Sequence, residues 1–129
     1  VYNGIASGVP GTVIGVVQDR ISKGTLPHEI GHILGLFHIF ERDDTDGLSL
    51  HGGDRICDTP AFNIMDSRSM GCNYTGNRLY KQEDLKVIIP NYLNYSNDTI
   101  DCRSKFTPIQ GLSMRWYIEN YPPLYNCLN

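Results

Sequence analysis

HEIGHILGLFH, residues 28–38, decides how the rest of this 129-residue chain is read. Three of the chain's four histidines, His28, His32 and His38, fall inside it. Leu26, Ile30, Ile33, Leu34 and Phe37 recur at spacings of three and four, the period of an amphipathic helix. A helix is therefore expected from about residue 26 to about residue 35. Thr25 stands where an N-cap would, and Pro27 falls in the first turn, where its missing N–H has no partner to lose. Gly35 can end the helix by taking a left-handed conformation. Positions 28 and 32 lie one turn plus about 40° apart, so both imidazoles project from one face and can grip one ion. After the turn at Gly35, His38 can swing back as a third ligand. Three neutral imidazoles with a fourth position open suit catalytic zinc. Glu29 lies beside the histidine pair, which suits a base better than a ligand: it would take a proton from zinc-activated water as a peptide carbonyl is attacked, then pass it to the departing amine.

Outward from this stretch, residues 12–17 (TVIGVV) read as a β-branched strand, and residues 1–20 have room for one or two strands punctuated by Gly and Pro. Residues 41–84 are polar, rich in Asp and Gly, and without periodicity. A short helix fits 82–89, stopped at Pro90. Thr107, Pro108 and Gln110 form a capping-box pattern for a helix running to about Asn120. These elements make an α+β chain, and 129 residues suit a single domain over 1–129. A formal charge of −3, with no basic block, excludes the footprint of a nucleic-acid binder. No apolar run approaches the roughly 20 residues that span a bilayer, so no membrane partner is expected. Cys57, Cys72, Cys102 and Cys127 are even in number and form no CxxC pair. They read as two disulfides with three open connectivities, which favours a secreted, extracellular protein; four buried thiols in a cytosolic protein are the alternative.

TLPHEIGHILGLFHIF at 25–40, GDRICDTPA at 53–61, NYLNY at 91–95, Cys102 and FTPIQ at 106–110 together resemble the pappalysin family of metzincin metalloendopeptidases. The resemblance implies a zinc-dependent endopeptidase acting on proteins or peptides, with His28, His32 and His38 as ligands and Glu29 as general base. It places Leu93 in the turn beneath the zinc, where the family has methionine; the swap conserves volume and polarity. It makes Tyr95 the tyrosine near the metal that binds it or the oxyanion, in place of an ordinary half-buried aromatic. Asp54, Asp58 and Thr59 fall in a segment that in relatives organises a loop able to carry Ca2+; the same side chains can instead cap turns. Asp98 and Asp101 follow the Tyr95 turn, where such enzymes build the pocket for the residue after the cleaved bond, and they are expected either to favour Arg or Lys there or to be solvated loop carboxylates.

The family's catalytic domains carry a larger N-terminal sheet with a backing helix, whereas 27 residues precede His28. The chain is therefore expected to be the C-terminal part of a longer metzincin-like catalytic domain, lacking most of that sheet, with a pro-segment or upstream chain segment completing the fold. Two other functions fit parts of the pattern: a catalytically inactive metzincin-like binding module, and a non-proteolytic zinc hydrolase. The intact Glu29 favours the protease.

Overall fold

The computed structural model describes residues 3–21, 24–41, 53–67, 71–95 and 101–126. Strands β1 (Gly4–Ala6) and β2 (Ile14–Val16) pair antiparallel, with Gly4 opposite Val16, Ile5 opposite Gly15 and Ala6 opposite Ile14. The expected β-branched strand is thus present in shortened form. A single 3-10 turn at Gln18–Arg20 leads towards helix α1 (Thr25–Ile33). Both strands lie against α1: a methyl group at Gly4 would sit 2.7 Å from Glu29 Oε1, and the Gly11 N–H donates to Ile33 O at 3.2 Å.

Helix α1 starts differently from the expectation. Its N-cap is Gly24, Thr25 is its first residue, and no side chain of the cap residue bonds to it. A distant carboxylate takes that role, since Asp101 Oδ2 accepts the Gly24 N–H at 3.0 Å. At the other end Leu34 caps the helix and Gly35 adopts φ +86°, the left-handed conformation expected of it. A methyl at Gly35 would lie 2.2 Å from the Tyr117 ring, so the absence of a side chain also lets the C-terminal helix close on this turn.

The buried apolar core lies after α1, not between it and the sheet: Leu36, Ile39, Phe40, Ile56, Phe62, Ile88 and Leu93. Helix α2 (Ile64–Ser67) and helix α3 (Gln82–Ile88) border it, α3 burying Leu85 and Ile88. Helix α4 (Pro108–Asn120) begins with both halves of the predicted capping box in place, and a single turn, α5 (Pro122–Tyr125), follows it. Gln110 is fully buried; besides accepting the Thr107 N–H, its side chain pairs with Asn91, tying α4 to the 91–95 turn.

One of the two expected disulfides is present, Cys72–Cys102, closing a separation of 30 residues. Loop-closure entropy alone gives such a bond about 3–4 kcal/mol. Cys57 is exposed and joins no cysteine among the described residues, and Cys127 lies outside them. No helix among the described residues is long and apolar enough to cross a membrane. The short sheet beside several helices is the α+β architecture read from the sequence.

Candidate metal centre

Helix α1 presents His28 and His32 one turn apart, and the chain reversal at Gly35 returns His38 to face them. The three Nε2 atoms form a nearly equilateral triangle, with edges of 3.2, 3.2 and 3.1 Å. A tetrahedral ion with Zn–N of about 2.0–2.1 Å requires N···N separations of about 3.3 Å, so the donor set fits zinc. His28 Nδ1 lies 2.6 Å from Tyr92 O, and His32 Nδ1 lies 2.7 Å from Leu36 O. A carbonyl can only accept, so both rings carry their proton on Nδ1 and turn the Nε2 lone pair inwards. His38 stacks on Phe40, ring centroids 4.7 Å apart and 12° from parallel. His28, His32 and His38 are the one group of three or more potential ligands found among the described residues.

Burial keeps all three rings neutral. Desolvation, assisted by its neighbours His32 and His38, holds the His28 pKa well below the ordinary value. His32 is lowered by burial, and His38 is lowered to about 3 by burial and the proximity of His32. The linkage sign follows: these groups bind protons more readily in the unfolded chain, so metal-free stability is full above about pH 6.5 and is lost as pH falls below it. A falling melting temperature of the metal-free protein from pH 7 to pH 5, measured calorimetrically, is the expected outcome; a flat or rising one contradicts it.

Glu29 is 6 % exposed, covered by β1 at Gly4. Burial raises its pKa and the Arg103 charge opposes the rise. The Tyr95 ring centroid lies 5.0 Å from that of His38 and 5.9 Å from that of His28, so this side chain borders the cluster. Leu93 is fully buried under α1; a methyl on Gly31 would stand 2.8 Å from its Cδ2.

The other acidic residues have structural partners. Asp54 accepts from the Ile56 N–H at 3.0 Å and from the Thr59 hydroxyl at 2.8 and 2.7 Å. Asp58 accepts from the Thr107 hydroxyl at 2.6 Å and the Ile109 N–H at 3.0 Å, pinning the start of α4. Both contact sets match the turn-capping alternative for this segment. Asp101, expected to face substrate or solvent, is instead held by Arg103 and Gly24 inside the fold. Burial pushes its carboxyl up, but these partners outweigh that and leave its pKa lowered. Asp98 lies outside the described residues. The sequence pattern did not bring out Arg103, which belongs to no motif, or Tyr117, whose contact with Gly35 spans more than eighty residues.

Comparison with known proteins agrees with this geometry. The family model described as pregnancy-associated plasma protein-A, a peptidase family, matches residues 13–119, which include every element of the centre except β1. The chain belongs to this peptidase family. Among curated relatives, an extracellular metalloprotease of Arthroderma gypseum is 35 % identical over 113 residues, covering 86 % of this chain and 34 % of the relative. Its counterpart in Arthroderma benhamiae is 36 % identical over 110 residues, covering 84 % and 33 %. One from Pyricularia oryzae is 38 % identical over 105 residues, covering 81 % and 33 %. The chain thus spans about a third of the length of these relatives. No solved structure matches.

Proposed function

We propose that the chain carries the zinc site and catalytic base of a secreted metalloendopeptidase that hydrolyses peptide bonds in proteins. The observation that carries this reading is the triangle of Nε2 atoms; the buried Glu29 follows His28 directly in α1. Zinc, when bound by these nitrogens, supplies a Lewis acid that activates water and polarises the scissile carbonyl. Glu29 takes the proton from the attacking water and delivers it to the amine nitrogen as the C–N bond breaks. The Tyr95 phenol donates a hydrogen bond to the oxyanion. Tyr92 O and Leu36 O hold the two helix histidines in register throughout.

Residues 1–129 act here as one metzincin-like unit, which spans about a third of the length of these relatives. Secretion is supported by the extracellular relatives and by the disulfide. In the 53–59 turn the Asp54 and Asp58 carboxylates accept from Ile56, Thr59, Thr107 and Ile109, and no calcium role is proposed for them. An inactive binding module is disfavoured by the buried carboxylate of Glu29 next to His28 in α1, whose burial costs free energy and contributes nothing to binding alone.

The full-length protein is expected to bind one zinc ion per chain and to cleave an unstructured protein such as casein. Cleavage should stop on chelation and return with added zinc. Elemental analysis and a gel-based cleavage assay check this, and cleavage insensitive to chelator would refute the metal mechanism.

A further inference from the structure

Three Asn-X-Ser/Thr triplets, the pattern that accepts an N-linked glycan, begin at Asn73, Asn94 and Asn97. Such triplets recur by chance, and the fold separates the two that begin within the described residues. Asn94 is 1 % exposed. Its amide nitrogen donates to Ile88 O at 3.2 Å, and its carbonyl oxygen accepts from the Ser67 hydroxyl and from the Tyr95 N–H. A sugar on that nitrogen would need room inside a close-packed interior and would pull the side chain away from these bonds. Asn97 lies outside the described residues.

Asn73 has the opposite setting. It and Thr75, the two residues that define its triplet, are exposed, and Tyr74 between them is half-buried. They lie in 71–81, a stretch without helix or strand ahead of α3, and the Cys72–Cys102 bond anchors that stretch one position before Asn73. Irregular surface backbone of this kind can fit the cleft of a modifying enzyme, which a helix or a paired strand cannot do without unfolding. An open hollow of about 320 Å³ adjoins the side chain, lined by Asn73, Tyr74, Gln82 and Lys86 among others. A first sugar attached here meets free volume and polar neighbours.

We propose that Asn73 is an acceptor site for an N-linked glycan and that the Asn94 triplet stays unmodified in the folded protein. The proposal rests on the secreted reading of the chain, since the sugar donor is met on the export route. That donor is an oligosaccharide joined through pyrophosphate to a lipid. Nδ2 of Asn73 attacks C1 of its first sugar. The C1–N bond forms as the C1–O bond to pyrophosphate breaks; the lipid pyrophosphate leaves with the bonding electrons, and one amide proton passes to base. Thr75 supplies the hydroxyl that the transferase reads.

The test expresses the full-length protein in a eukaryotic secretory host, once behind its own N-terminal region and once behind the host's leader. Purified protein is treated in heavy-oxygen water with a glycosidase that converts each glycosylated asparagine to labelled aspartate, then digested with trypsin for mass spectrometry. Asn73 falls in peptide 69–78, whereas Asn94 and Asn97 share 87–103 and are told apart by fragmentation. Label is expected at residue 73 in most molecules and at residue 94 in none. Asn73→Gln and Thr75→Ala should each lower the apparent mass on a gel by one glycan, and Thr75→Ser should keep it. Exported, folded protein without label at residue 73, or with label at residue 94, overturns the proposal. Should Asn73→Gln fail to be exported, the labels on the parent and on Thr75→Ser decide. Label at residue 73 behind the host's leader, together with retention in the cell behind the protein's own N-terminal region, would remove the secretion reading and leave the acceptor site standing.

Discussion

Glu29→Gln is expected to lower kcat by about 10²–10⁴-fold while one zinc ion stays bound per chain. Glutamine keeps the size of the side chain and its fit beneath Gly4, where the clearance from Oε1 is too small for a methyl group. The amide cannot take up a proton at neutral pH, so the proton relay between water and leaving amine is lost. The ligand triangle does not include Glu29, and the orienting contacts of His28 and His32 run to Tyr92 O and Leu36 O. Loss of turnover should therefore appear in kcat with KM little changed. Paired measurement of zinc content and steady-state kinetics checks this. Retention of most activity would exclude Glu29 as the base, and loss of zinc would mean that it holds the site together.

Gly35→Ala is expected to destabilise the metal-free protein by about 2–5 kcal/mol and to weaken zinc binding. At φ +86° an alanine carries the left-handed penalty of about 1–2 kcal/mol. Its methyl would also overlap the Tyr117 ring at 2.2 Å, and relieving such overpacking costs about 1–3 kcal/mol. Relief can come from moving Tyr117, and α4 with it, or from shifting the 34–38 turn that carries His38. Denaturant unfolding measures the first quantity and competition with a chromogenic chelator the second. A loss below about 1 kcal/mol would show that the turn and α4 yield easily, against the close packing described here.

The centre was legible because its parts are local in sequence. His28 and His32 share a helical face, Glu29 follows directly, and Gly35 marks a reversal three positions before His38. The capping box at Thr107 and Gln110 was legible for the same reason, being complete within four positions. The start of α1 was not: Thr25 has the right chemistry for a cap, but the Gly24 N–H is taken by a carboxylate 77 residues away. Sequence spacing carries no sign of such a contact. Asp58 and Asp101 follow the same pattern, since a carboxylate looks alike whether it caps a distant helix, grips an arginine or awaits a ligand. Helices α2 and α5, one turn each, are too short for an apolar period to develop.

The two helix histidines lean on main-chain carbonyls, Tyr92 O and Leu36 O, where a carboxylate could have served. A substitution at position 36 or 92 changes the side chain and leaves the carbonyl acceptor in the chain. Both acceptors are uncharged, so the contacts that orient the two rings bring no anion of their own to the centre.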